Sequence, residues 1–272
     1  MSPVHITAVG AARRRAAHLL CDGEPKILSD DLALALSGGD RDGLVAAVER
    51  GELIGQNSAW VLRSRYAEDL LDAATRRGVR QYVILGAGLD SFAFRPGTRL
   101  GELRVFELDD PPMQAWKRQR LADLGIAVPE QCRFAPCDFE TTNIGDALAR
   151  VGFAAGAPSF VSWLSVIQYL SRDAIEATLQ WIATLAPGTE VVLTFVIPGP
   201  HSEAAAEHIQ RRTGARFETF FTPEDMTEVL HRCGLSAVRH LEPADAGAQY
   251  FTGRTDGMRA PVIERLVSAS VA

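Results

Sequence analysis

With 272 residues, the chain is long enough for one large α/β domain with a modest appendage and too short for two full-sized ones. Apolar residues make up 47% and charged residues 23%, a composition that excludes disorder. The formal net charge of −6 argues against nucleic-acid partners, because neutralising phosphates takes an excess of positive charge.

The four cysteines, Cys21, Cys132, Cys137 and Cys233, form no C-x-x-C pair and have no histidines at zinc spacing, so no metal site and no disulfide framework is expected. A reducing cytoplasm fits that usage. No apolar run approaches the roughly 18 residues of a membrane span, and the start of the chain lacks a basic segment followed by an apolar core. Arg13, Arg14 and Arg15 read as the solvated face of a helix rather than as a binding patch. The histidines share no ligand spacing and read mostly as solvated or capping residues, with one left for a substrate pocket.

From His5 to about Asn57 the chain is rich in Ala and Leu, and Gly38, Gly39 and Gly51 punctuate it into short helices. Residues 1–60 therefore read as an N-terminal helical cap, and 61–272 as the core. Between Ala59 and Arg77, Leu62, Tyr66, Leu70, Leu71 and Ala74 recur at the spacing of one helical face, and Gly78 ends the helix. Strands are expected at Gln81 to Leu85, Arg104 to Leu108, Cys132 to Cys137, Ser159 to Leu164 and Glu190 to Ile197. Helices fall between most of them: from Pro112 to Leu124, Ile144 to Val151 and Arg172 to Leu185. That alternation specifies an α/β, doubly wound, mostly parallel sheet. Beyond Pro198 a polar segment, about 198–221, carries a helix near Glu203 to Arg212 and reads as a lid-like insertion. Thr222-Pro223-Glu224 then opens a helix that Gly234 closes, and strands near Leu235 to Leu241 and Gln249 to Gly253 bring the sheet to seven.

The run Val83-Ile84-Leu85-Gly86-Ala87-Gly88-Leu89-Asp90-Ser91 reads as a strand–loop–helix segment whose small residues let a ligand approach the backbone. The dinucleotide fingerprint G-x-G-x-x-G wants a third glycine where Ser91 stands, which weighs against an NAD-dependent oxidoreductase. About 20 residues after the glycines, Glu107-Leu108-Asp109 places carboxylates where ribose hydroxyls need acceptors. Asp110-Pro111-Pro112-Met113 reads as a helix start.

Taken in order, these motifs resemble the leucine carboxyl methyltransferase-like class I methyltransferases, which include polyketide carboxyl O-methyltransferases. The resemblance runs from about Thr7 to Arg259. It rests on Leu62-Arg63-Ser64-Arg65-Tyr66, the glycine turn, Val105-Phe106-Glu107-Leu108-Asp109, Asp138-Phe139, Trp163 with Tyr169-Leu170, and Gly253-Arg254-Thr255-Asp256-Gly257. It implies S-adenosyl-L-methionine as cofactor. Arg63 then holds the methionyl carboxylate, Gly86 and Gly88 lie beside the amino-acid part, Asp109 serves the ribose, and Ala87, Asp90 and Glu107 are further cofactor-binding candidates. Asp138 and Phe139 frame the adenine. Where many relatives carry Trp-Glu-Gly-Val, this chain reads Trp163-Leu164-Ser165-Val166, so an acidic contact at Leu164 is missing or supplied elsewhere. Tyr169 and Arg254 are candidate substrate contacts.

The implied reaction is O-methylation of a carboxylate on a small-molecule or peptide substrate, with no nucleic acid and no membrane involved; a homodimer is left open. A carboxylate is already ionised at pH 7 and needs no general base, and none stands out in the sequence. The alternatives are methylation of a phenol or hydroxyl, and a non-catalytic or repurposed S-adenosylmethionine-binding protein.

Overall fold

The alternation of short β-rich runs with amphipathic segments is realised as one seven-stranded sheet flanked by helices. The computed structural model describes residues 3–53, 57–98 and 100–272. Three helices come first, α1 (Pro3–Cys21), α2 (Ala33–Leu36) and α3 (Arg41–Glu49), followed by α4 (Asn57–Arg76). Along α4, Val61, Leu62, Ala67, Leu71 and Ala74 are buried at the spacing of a single face.

Next β1 (Gln81–Leu85), β2 (Arg104–Asp109), α5 (Pro111–Asp123), β3 (Cys132–Pro136), α6 (Ile144–Arg150), β4 (Phe160–Trp163), α7 (Arg172–Ala183) and β5 (Glu190–Val196) follow one another. Every residue of β1 and β4 is buried, as it must be in central parallel strands with helices on both faces. The chain continues through α8 (Pro200–Thr213), α9 (Pro223–Arg232), β6 (Ser236–Leu241), α10 (Pro243–Tyr250) and β7 (Glu264–Ser270). The Thr222-Pro223-Glu224 start of α9 forms a full capping box with Asp225.

The strand order is β3-β2-β1-β4-β5-β7-β6, with β7 antiparallel to both neighbours and the rest of the main ladder parallel. The winding reverses between β1 and β4, and ligand crevices in such sheets open outside the carboxyl ends of the strands at that switch point.

Two expectations are corrected. The last strand is not Gln249 to Gly253: Pro243 starts α10 there, Ala246 packs inward, and β7 forms from Glu264 to Ser270. The segment Tyr250-Phe251-Thr252 has local β preference, but only the later run has two open strand edges to fill. The second concerns the glycine turn, which does not lead into an α-helix. Among the described residues, one 3-10 turn at Phe92–Phe94 is the only helical stretch between β1 and β2.

The basic triplet is also not a solvated face throughout. Arg15 is buried, with its Nε 2.7 Å from Asp30 Oδ2 and its Nη2 donating to the Leu89 carbonyl at 2.7 Å. His18 is fully buried; its Nε2 accepts from the Ile27 N–H at 3.0 Å, so Nδ1 carries the proton donated to Asp22 Oδ2 at 2.9 Å. The cause is the same for both residues. α1 is packed against α2, α3 and α4, so its polar groups must find partners inside. No described helix is long and apolar enough to cross a membrane.

Candidate active site

At the carboxyl end of β1 the backbone turns away from the sheet. Gly86 and Gly88 sit in the left-handed region at φ +69° and +48°, and the N–H groups of Gly86 and Ala87 both donate to the Leu108 carbonyl at 2.9 Å. A Cβ on Gly86 would lie 2.3 Å from Cγ2 of Val166, so the loop after β4 leans directly on this turn. A Cβ on Gly88 would come within 3.3 Å of the Cβ of Ala8, so α1 leans on it from another side. Arg15 of α1 adds its bond to the Leu89 carbonyl. Asp90 accepts from the Phe92 N–H at 2.8 Å and so stabilises the turn itself.

β2 delivers Asp109 to the same place. One oxygen of its carboxylate accepts from the Gly88 N–H and the other from the Asp110 N–H at 2.7 Å. Burial pushes its pKa up to about 6, against the lowering effect of those two backbone donors. Glu107 is two residues back on the same side of the strand but below the surface, 1% exposed, with its carboxylate given to Lys117 Nζ. Burial raises it to about 7 although Lys117 opposes the shift. Glu107 is therefore a support beneath Asp109, and it presents no oxygen to the surface.

The end of β3 is tied in by the Cys137 N–H, which donates to the Asp109 carbonyl at 2.9 Å. Asp138 follows, exposed, accepting from the Glu140 N–H at 2.9 Å and the Thr141 hydroxyl at 3.0 Å. Phe139 is half-buried with its ring 6.3 Å from that of Trp163. Leu164 is half-buried just beyond β4 and packs with the core on the α4 side of the sheet.

Arg63 projects from α4, 7% exposed, with both of its hydrogen bonds to described residues leaving from Nη1 to the two oxygens of Glu264 at 3.1 Å. Its guanidinium lies 5.6 Å from the Trp60 ring centre, and the guanidinium of Arg14 lies 5.0 Å from that ring. Tyr169, on the 3-10 turn Ile167–Tyr169, is within electrostatic reach of Arg63 and Glu264; burial pushes its hydroxyl up to about 12. Its ring meets Phe217 edge-on at 5.2 Å. Phe217 belongs to the segment after α8, which is held back on the core by Glu218 N–H to the Gln168 carbonyl at 2.7 Å and Phe221 N–H to the Val196 carbonyl at 3.0 Å. Helices α1 and α8 touch each other.

Arg254 bonds to a different set of partners. Its guanidinium is spent on Asp256 and on the carbonyls of Gly23 and Pro25, pinning two loops together. Sequence reasoning missed Glu264, Trp60, Arg14 and Lys117. No local signal marked Glu264, which is 201 positions from its partner and lies in a stretch assigned to no element.

Residues 8–183 match the leucine carboxyl methyltransferase family, more than half of the chain. The chain belongs to that family. One relative, YktD of Bacillus subtilis, is 31% identical over 206 residues, covering 73% of this chain and 67% of its own length. It bears the name of an S-adenosyl-L-methionine-dependent methyltransferase. So does a Parafrankia protein, 39% identical over 140 residues, 50% of this chain and 44% of that one. The matched segment thus spans about half the length of several of these family members. Among solved structures, a methyltransferase-named protein of Thermobifida fusca aligns over 88% of this chain and 92% of its own at 18% identity, TM-score 0.55. A Streptomyces avermitilis protein aligns over 97% of both chains at 13% identity, TM-score 0.58. These two likenesses concern the fold.

Proposed function

We propose that this family member is an O-methyltransferase that uses S-adenosylmethionine and esterifies a carboxylate on a small-molecule or peptide acceptor. The observation that carries this reading is the convergence of Asp109, the positive-φ glycine turn and the Val166 loop at the switch point of the sheet. The donor chemistry fits that cofactor. Each Asp109 oxygen has accepted one backbone N–H and keeps a lone pair for a ribose hydroxyl. Nε and Nη2 of Arg63 form an edge for the methionyl carboxylate, because its bonds to Glu264 use Nη1 alone. Phe139 offers an apolar wall and Asp138 a polar edge for the adenine.

When bound, the cofactor supplies a sulfonium methyl group for in-line displacement. The protein's contribution is to place the acceptor oxygen at near-attack distance and to keep water out. We assign that task to the N-terminal helices and to 198–221, which meet through α1 and α8. Tyr169, with its hydroxyl near 12, remains a hydrogen-bond donor at neutral pH and cannot serve as a general base there. A carboxylate acceptor does not need one. The test is the product. A methyl ester releases methanol in mild alkali, whereas an alkali-stable product formed at a rate that climbs with pH would favour a hydroxyl acceptor.

Asp109 also sets a pH dependence on cofactor binding. Its ionised form accepts from the ribose, so protonation below about 6 competes with binding. With one proton taken up, affinity for S-adenosylhomocysteine should fall about tenfold between pH 7.5 and pH 5. Titration calorimetry across that range should show the slope in the wild type and lose it in Asp109→Asn, the neighbouring Glu107 being common to both.

A further inference from the structure

Arg63 and Glu264 form an ion pair of unusual placement. It joins α4 to the first residue of β7, opposite Val196 at the carboxyl end of β5, and the side chains are 9% and 13% exposed. The pair sits at the same edge as the glycine turn. The Ser165 N–H donates to the Thr194 hydroxyl on β5 at 2.6 Å, and the next residue, Val166, rests on Gly86. Both Glu264 oxygens accept from one nitrogen of Arg63, so among the described residues neither partner is saturated. Toward the described residues the guanidinium keeps its Nε and Nη2 hydrogens, and the carboxylate keeps a lone pair on each oxygen. A structural ion pair that served only to join α4 to β7 would be expected to engage its fork fully.

Side by side, one unsaturated cation and one unsaturated anion are the complement of a zwitterion. Building on the cofactor reading above, we infer that Glu264 binds the α-ammonium of the cofactor's methionyl group while Arg63 binds its carboxylate. An α-amino acid carries these two charges on one carbon, so a single contact point must offer both signs within a few ångströms, as this pair does. Glu264 also makes the site selective. A ligand bearing only a carboxylate is attracted by Arg63 but repelled by Glu264, and a neutral ligand gains from neither. Trp60 supplies the flat wall behind Arg63. Leu164, which the sequence places where relatives carry an acid, then needs no acidic replacement on its own loop.

Three nucleoside probes separate the claims by calorimetry: S-adenosylhomocysteine, its analogue lacking the amino group, and 5′-methylthioadenosine, which lacks the whole amino-acid part. The wild type should bind S-adenosylhomocysteine at least tenfold more tightly than the analogue without the amino group. Glu264→Gln should erase that preference by weakening S-adenosylhomocysteine while the analogue without the amino group, freed of repulsion, binds as well as before or more tightly, and 5′-methylthioadenosine stays within about twofold. Arg63→Ala should weaken both carboxylate-bearing probes and spare 5′-methylthioadenosine. A wild-type preference below about threefold overturns the inference without any variant being made. Equal loss of the first two probes in a folded Glu264→Gln protein overturns it as well, since that is the result of merely steadying Arg63. If the wild type binds none of the three, the cofactor reading itself fails, an outcome distinct from the other two.

Discussion

Replacing Lys117 by Met is expected to lower the unfolding free energy by about 3 to 5 kcal/mol at pH 8, the range for stripping one partner from a buried ion pair. Lys117 is 1% exposed and its Nζ faces Glu107, while the Gln114 amide donates to the Glu107 carbonyl at 3.0 Å. Met keeps most of the volume, so the loss reports the orphaned carboxylate rather than a cavity. The pH dependence has a definite sign. Glu107 has its folded pKa raised to about 7, above the usual carboxylate value, so its contribution to stability is full below that usual value and is lost as pH rises through 7. Without Lys117 the folded pKa climbs further, and the deficit of the variant should grow from pH 6 to pH 8. Urea unfolding at both pH values measures this. Adding Glu107→Gln to Lys117→Met should recover most of the loss. A deficit under about 1 kcal/mol at pH 8 would mean that the pair does not anchor α5 to the strand carrying Asp109.

The second large effect is expected at Gly86. A methyl group there meets Cγ2 of Val166 at 2.3 Å, and the backbone is held at φ +69°. The conformational part costs about 1 to 2 kcal/mol and the overpacking about 1 to 3 kcal/mol more. Gly86→Ala should therefore lose about 2 to 5 kcal/mol of stability. It should also lose most of the thermal protection given by S-adenosylhomocysteine, which at a hundredfold excess over Kd is worth about 2.7 kcal/mol to the wild type. Combining it with Val166→Ala removes both γ-methyl groups and should return the packing part only. If the double variant is no better than Gly86→Ala, backbone conformation alone makes the glycine necessary.

These two positions show how differently parts of the candidate site could be read from sequence. Gly86, Gly88 and Asp109 are visible because their signals are local: a β-rich run breaking into small residues, then an acid about 20 positions on. Lys117 gave no such signal. On a helical segment it looks like any solvated lysine, and only the approach of α5 to β2 puts it against Glu107 and 5.1 Å from the Phe94 ring centre.

The same division runs through the whole molecule. Residue periodicity, capping residues and turn glycines determined β1 to β6, α4 to α9 and the doubly wound class, because each depends on neighbours a few positions away. The place of β7 was decided by tertiary structure: Glu264–Ser270 is held by ladders to β5 and β6 on its two sides, and those partners are set by chain topology rather than by its own composition. The lack, among the described residues, of an α-helix between β1 and β2, the burial of Arg15 on α1 and the meeting of Arg63 with Glu264 across 201 positions are of the same kind. A side chain's local preferences state what partner it needs, and only the packed elements determine which partner comes within 3 Å.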